Sequence, residues 1–181
     1  MTAFVPSTLF ELLRWRAEQL PDRLAYRFLS DDGTEEFEIT YSELDRQARA
    51  IGAWLESFNA RGERALLLYP SGLEFIAAFF GCMYAGVIAV PAYPPRLNRP
   101  DPRLQSIVTD SGATIGLSVS SILSNLERRF ANEPAMAALR WLNTETPPTH
   151  IEAGWREPDV AADALAFLQF TSGSTSAPKG V

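Results

Sequence analysis

The stretch Thr171-Ser-Gly-Ser-Thr-Ser-Ala-Pro-Lys-Gly180 packs hydroxyls, two glycines and a lysine directly behind the apolar run Ala164-Leu-Ala-Phe-Leu-Gln-Phe170. A strand that feeds a flexible, donor-rich loop is suited to holding phosphate. Glycine lets backbone N–H groups close on the anion, Ser and Thr add O–H donors, and Lys supplies a point charge. A loop of this kind opens onto the rest of an active site. With Val181 the last residue, the sequence reads as the front part of a larger enzyme.

The stretch is distinct from a Walker A loop, which needs Gly-x-x-x-x-Gly-Lys-Ser/Thr. Counting from Gly173, Pro178 falls where the second Gly belongs and Gly180 where the metal-holding hydroxyl belongs. That Gly permits close backbone approach and that hydroxyl binds Mg²⁺, so the chain is not a P-loop NTPase. On composition alone a Ser/Gly-rich flexible tail stays open as an alternative. The ordered pattern after an apolar strand is more specific than composition.

Elements that could position this loop alternate along the chain. Thr8-Leu-Phe-Glu11 and Thr40-Tyr-Ser-Glu43 are capping boxes. The first opens a helix ending before Pro21, and the second a helix through Ala48, Ile51, Leu55 and Phe58. Leu24 to Leu29 and Phe37 to Thr40 read as strands around the polar turn Asp31-Asp-Gly-Thr34. Ala65 to Tyr69 is a continuous apolar strand of the kind buried on both faces. A helix over Leu73 to Tyr84 and a strand over Val87 to Val90 complete a β-α-β unit. A helix at Leu104 to Thr109, a strand at Thr114 to Ser118, short helices and a strand around Arg140 to Asn143 lead to a final strand, Leu165 to Phe170. The rhythm predicts an α/β fold, a mostly parallel sheet flanked by helices, with a small β-hairpin near the N-terminus. In such sheets ligands bind beyond the carboxyl ends of the strands, so the loops after Tyr69, Val90, Ser118 and Phe170 are expected on one side.

Composition narrows the class. An apolar fraction of 46% and a charged fraction of 21% belong to an ordinary soluble domain, expected in the cytoplasm. A net charge of −6 argues against nucleic acid as a partner, because phosphate backbones demand a basic face. The start Met1-Thr-Ala-Phe-Val-Pro has neither a basic beginning nor a sustained apolar core, so no signal peptide is read. The longest apolar stretch, Phe75 to Val90, is interrupted by Gly81 and Gly86 and is too short for stable membrane insertion. The single Cys82 excludes an intrachain disulfide and reads as a buried thiol.

Other chemically capable residues have simpler readings. His150 lies in a polar loop with no Asp or Ser partner at diagnostic spacing, and reads as a solvated histidine. No Cys, His and carboxylate set has metal-ligand spacing, so no protein-held metal site is expected. Glu35, Glu36 and Glu38 read as a solvated hairpin edge, and Ser71-Gly72 as an ordinary N-cap. The loop Pro91 to Pro102 holds five prolines with Tyr93, Arg96 and Arg99. It reads as a rigid connector, or as a segment that shapes an edge of an apolar pocket or touches an anion through Arg96.

The Thr171–Gly180 pattern closely resembles the phosphate-binding signature of the adenylate-forming superfamily of acyl-CoA synthetases, peptide-synthetase adenylation domains and luciferases. Many members carry Gly where this chain has Ser176, a substitution that stiffens the loop. Val87-Ile-Ala-Val-Pro-Ala-Tyr-Pro-Pro-Arg96 and Asp163-Ala-Leu-Ala-Phe-Leu-Gln-Phe-Thr171 resemble the fatty-acyl-AMP ligases. These activate a fatty acid as its adenylate and pass it to an acyl carrier protein or a polyketide or peptide synthase module. The resemblance runs from about Phe10 to Val181. It implies ATP and Mg²⁺, with Thr171, Ser172, Ser174 and Thr175 donating hydroxyl bonds to the β- and γ-phosphates. Gly173 and Gly180 would supply the backbone turn and Lys179 a positive charge. Residues 1–181 would be the N-terminal part of an AMP-binding domain, without the adenine- and ribose-binding motifs, the metal-binding glutamate or the late catalytic lysine. No catalytic residue is therefore expected in the chain, and alone it is expected to be inactive, marginally stable and prone to associate. An acyl-CoA synthetase, a peptide-synthetase adenylation domain and a non-catalytic interaction remnant remain as alternatives.

Overall fold

In the computed structural model the described residues are 5–30, 33–34, 36–95, 101–126 and 134–171, with the backbone of 179–180. Helix α1 spans Leu9–Gln19, and its N-cap Thr8 accepts the Glu11 N–H at 3.2 Å. The Glu11 carboxylate reaches back to Ser7, accepting its N–H at 2.6 Å. Strands β1 (Leu24–Leu29) and β2 (Glu36–Thr40) pair antiparallel as the expected hairpin. Helix α2 (Tyr41–Glu56) opens on a complete capping box, in which Thr40 N–H donates to Glu43 at 2.9 Å and Glu43 N–H to Thr40 Oγ1 at 3.3 Å. Phe58 lies past the helix end, because Asn59 takes a left-handed conformation and turns the chain toward Ala60.

The sheet follows from apolar strands and short connections. β3 (Arg64–Leu68), α3 (Leu73–Ala85) and β4 (Ile88–Ala92) form the β-α-β unit. Next come α4 (Pro102–Ser111), capped by Asp101 with proline in its first turn, then β5 (Ile115–Ser118). α5 (Ser120–Leu126), the single turn α6 (Pro134–Ala137) and β6 (Arg140–Asn143) follow. A 3-10 turn at Ile151–Gly154 precedes β7 (Phe170–Thr171) and β8 (Lys179–Gly180). The order is β4-β3-β5-β6 and every pair is parallel, as the alternation of elements predicts.

β3 is one of the two internal strands and its side chains alternate between two cores. Ala65, Leu67 and Tyr69 face the core made with α1, α2 and α3, whereas Leu66 and Leu68 face the core made with α4, α5 and α6. Leu66, Leu67 and Leu68 are fully buried, each contributing roughly 1.5–3 kcal/mol of apolar transfer. Helices α2 and α3 cross closely at Gly81. A Cβ there would stand 2.6 Å from Ile51 Cγ2, so only glycine admits this approach.

Two expectations need correction. The final strand is not continuous from Leu165: the chain touches β4 through one parallel bridge, Phe167 opposite Ala89, and becomes a paired strand only at Phe170. Leu165 and Phe167 are exposed, so little holds this stretch flat against the sheet. Pro91, read as the first loop residue, lies inside β4 opposite Leu67. Among the described residues no helix is long and apolar enough to cross a membrane.

The helix starts make the fold sensitive to acid. Glu11 is held below the usual carboxyl range by the Ser7 N–H and hydroxyl, Glu43 by the Thr40 N–H and hydroxyl, and Glu145 by the Ser120 hydroxyl and N–H. A carboxyl lowered on folding stabilises the fold above its unfolded pKa, and that contribution is lost as pH falls through the folded value. Melting temperature should therefore be insensitive to these groups near neutrality and fall below about pH 4.5. Glu43→Gln should make the acid limb shallower, and an unchanged limb would show that the capping box carries no linkage.

Candidate functional site

The carboxyl ends of β3, β4, β5 and β6 lie together because the strands are parallel and in register. The segment entering β7 runs the same way. Ala89 N–H donates to Ala166 O at 3.1 Å and Leu168 N–H to Ala89 O at 2.8 Å, which places it outside β4. Phe170 belongs to the buried cluster that holds Val90, Leu104, Ile107 and Val108, with β7 beside β4 and β8 against α4. Beyond it, Phe170 pairs with Gly180 and Thr171 with Lys179 in antiparallel register. Seven residues, 172–178, join the paired ends, more than the two to five of an ordinary hairpin.

The structure thus brings Thr171 and Lys179 opposite each other on the backbone, at the carboxyl side of the sheet. Thr171 is exposed at the start of the loop. Lys179 and Gly180 enter through their backbone pairing. Ser172, Gly173, Ser174 and Thr175 lie outside the described residues, as does Arg96 in the proline-rich connection.

Neighbouring polar groups at the strand ends bond mainly to one another. Tyr69 Oη and Thr144 Oγ1 lie 2.9 Å apart, Thr144 Oγ1 donates to Ser118 O at 3.3 Å, and the Ser118 hydroxyl donates to Leu68 O. Glu145 accepts the Ser120 N–H at 2.8 Å and hydroxyl at 2.5 Å, and Asn143 Nδ2 donates to Ser120 Oγ at 2.9 Å. These bonds tie β3, β5 and β6 together beside the site. Burial pushes the Tyr69 phenol up, the Thr144 bond opposing, so it stays neutral in ordinary buffers.

No acid–base centre emerges elsewhere among the described residues. His150 is exposed with a left-handed backbone, at the start of the 3-10 turn. Cys82 is fully buried and burial pushes its thiol up, against any nucleophilic role. Among the described residues no three His, Cys, Asp or Glu side chains gather as metal ligands. Ser71-Gly72 opens α3 as read, with Gly72 as the N-cap and no side-chain cap bond.

Sequence reasoning missed a polar cluster on the far face of the sheet. Tyr84 Oη donates to Asp45 Oδ1 at 2.6 Å, and Arg49 Nε donates to Asp45 Oδ2 at 2.7 Å. The Trp155 indole N–H donates to Tyr84 O at 2.8 Å, with the two rings 5.0 Å apart. Arg14 and Arg49 stand 5.4 and 4.9 Å from the Trp155 ring centroid, and Arg14 pairs with Glu157. Only the Asp45–Arg49 spacing of four on one helix was a usable signal.

Comparison with known proteins fits this geometry. A family model described as AMP-binding enzyme matches residues 13–181. The chain is 46% identical, over 97% of its length, to the medium-chain-fatty-acid–[acyl-carrier-protein] ligase JamA of Moorena producens (strain JHB). It is 33% identical, over 88% of its length, to the long-chain-fatty-acid–AMP ligase FadD32 of Mycobacterium marinum. It superposes on the fatty acyl-adenylate ligase of L. pneumophila, solved with acyl adenylate and pyrophosphate, with a TM-score of 0.87 and 36% identity over 97% of the chain. The chain spans 30%, 26% and 30% of those three proteins respectively.

Proposed function

We propose, because the chain belongs to the AMP-binding enzyme family, that it serves ATP-dependent activation of a fatty acid to an acyl-adenylate for transfer to an acyl carrier protein. The observation that carries this reading is the Thr171–Gly180 sequence on a hairpin base closed by the Phe170–Gly180 and Thr171–Lys179 pairs. Its place at the carboxyl end of a parallel sheet, where α/β folds bind ligands, supports a role in nucleotide binding. Likeness to fatty-acid ligases supports the fatty-acid branch over the other adenylating enzymes.

The chemistry is phosphoryl-centred. A fatty carboxylate oxygen bonds to the α-phosphorus of ATP as the bond to the pyrophosphate oxygen breaks. In this reading Thr171, Ser172, Ser174 and Thr175 donate hydroxyl bonds to phosphate oxygens, and Gly173 and Gly180 let the backbone approach. Lys179 adds positive charge. The work of these groups is alignment and charge neutralisation, the main resources of enzymes for this step. The hydroxyl and ammonium donor set fits a polyphosphate. Mg²⁺, whose chemistry would be charge neutralisation between phosphate oxygens, would be held through those oxygens and by groups other than the described residues. Residues 1–181 would be the front part of an AMP-binding domain in a cytoplasmic enzyme, with its catalytic groups elsewhere in the longer protein.

The acceptor separates this reading from an acyl-CoA synthetase. A full-length protein carrying this chain, given fatty acid and Mg-ATP, should transfer acyl groups to a phosphopantetheinylated carrier protein in preference to free CoA. Direct competition between the two acceptors measures it. Faster thioester formation with CoA would move the chain to the CoA ligases, and no adenylate at all would leave an interaction module.

A further inference from the structure

Between the 3-10 turn and β7 the chain runs from Trp155 to Gln169 with no regular helix or strand. Before Ala166 its backbone makes the internal bonds Val160 N–H to Pro158 O and Ala164 N–H to Ala161 O, with Trp155 N–H bonded back to Glu152 O and the Arg156 N–H bonded to the Glu56 carboxylate of α2. Among the described residues its strand-type pairing with the sheet is the single bridge at Ala89, through two hydrogen bonds, while Phe167 packs edge-on against Phe79 of α3, ring centroids 5.5 Å apart, and Leu168 packs on the second core. A single bridge specifies register weakly, and each residue of slip along a strand moves the chain about 3.3 Å. Side-chain packing must therefore decide which residue meets Ala89, and so where Thr171 stands: Phe167 on Phe79 and buried Phe170 fix the near end, and the far end needs an anchor of its own.

Trp155 has the means. Three helices supply the surroundings of its ring: Arg14 from α1, Arg49 from α2 and Tyr84 from α3. Its indole N–H bonds to Tyr84 O, a backbone atom in the last turn of α3. Space for the ring comes from Gly52 of α2, where an added Cβ would lie 2.9 Å from Tyr84 Cβ and 3.3 Å from both Cδ1 and Nε1 of the indole. A bonded, stacked and tightly accommodated indole is a fixed point. From it a constant number of residues runs to Ala166, with buried Pro158 and half-buried Val160 as lesser supports.

We infer that Trp155 is a positioning residue that, together with the packed Phe167 and Phe170, sets the register of the 166–171 segment on β4 and thereby places Thr171 at the nucleotide. This rests on the proposed adenylating function. Trp155 touches no substrate and acts through Thr171, so its loss weakens nucleotide binding more than turnover.

The test uses the full-length protein with Trp155→Ala, Trp155→Phe and Gly52→Ala. Pyrophosphate exchange is measured against ATP concentration, and amide hydrogen exchange is read at Ala89 and Leu168. Trp155→Ala should raise the KM for ATP about tenfold with kcat changed less than about threefold, and should lose protection at both amides while β3 and β5 keep theirs. Trp155→Phe, which keeps a ring between the helices, should restore protection and most of the affinity. If Trp155→Ala fails to fold, Gly52→Ala displaces the indole without deleting it and should raise the KM for ATP in the same direction. Normal protection at Ala89 and Leu168, or lost protection with an unchanged KM, would overturn the inference. So would equal losses in kcat and KM that phenylalanine does not restore. If the unmodified protein performs no exchange, the functional reading fails, and the two amides alone decide the clamp: unchanged protection in Trp155→Ala rejects it.

Discussion

Gly173→Val in the full-length protein should lower fatty-acid-dependent pyrophosphate exchange about a hundredfold, with the melting temperature nearly unchanged. Valine removes the backbone freedom of glycine and, on the proposed role of the loop, would place a β-branched side chain where phosphate oxygens approach. The hairpin base is independent of this residue, since Phe170 is held by the α4 core and pairs with Gly180. The loss should therefore fall on nucleotide use and not on folding. Lys179→Ala tests the charge separately. It should lower exchange at limiting ATP about tenfold and recover partly at saturation, because in the proposed site lysine is one contributor among several donors. Exchange unaffected by both substitutions would remove the loop from the nucleotide site.

Asp45→Ala should destabilise the domain by about 2–3 kcal/mol, the cost of removing a charged acceptor from a buried donor. For a domain of this size that lowers the melting temperature by about 5–10 °C. Asp45 is only 8% exposed and Tyr84 is fully buried, so the phenol left behind has no water to turn to. Burial first, and the Asp45 carboxylate second, push the Tyr84 pKa up, which keeps the hydroxyl a donor across the accessible pH range. Tyr84→Phe alone should cost less, because Asp45 keeps Arg49 at 2.7 Å. In the double mutant the two losses should not add, by roughly 0.5–3 kcal/mol. Thermal denaturation of the four proteins completes the cycle, and strict additivity would show that the Tyr84–Asp45 bond carries no coupling.

Local rules account for what the sequence disclosed. The capping residues Thr8 and Thr40 act within four residues, and each starts its helix as read, whereas the Asp101 cap went unread and starts α4 at Pro102 and not at Leu104. β3 announced itself because burial on both faces demands an unbroken apolar run, and the parallel sheet followed from the alternation around it. What stayed hidden depends on contacts far apart in the chain. Nothing near Trp155 tells that its indole reaches residue 84, nor does Gly52 advertise the ring it accommodates. The last strand was overextended for a related reason: Leu165 to Phe170 has strand composition, yet edge position leaves it one bridge before Phe170. For the site, the order of Thr171 to Gly180 suggested the chemistry, whereas the register of Thr171 against Lys179 is visible only in the fold.

The most direct measurement follows one oxygen atom. A fatty acid carrying ¹⁸O in its carboxylate is incubated with Mg-ATP, carrier protein and a full-length protein containing this chain, and the released nucleotide is weighed by mass spectrometry. If the carboxylate attacks the α-phosphorus, the bridging oxygen stays with the nucleotide when the acceptor thiol takes the acyl group. AMP bearing a single ¹⁸O should then accumulate with pyrophosphate, and Gly173→Val should suppress both. Unlabelled AMP, or ADP with labelled phosphate, would contradict the account, because the acyl group would not have travelled as an adenylate.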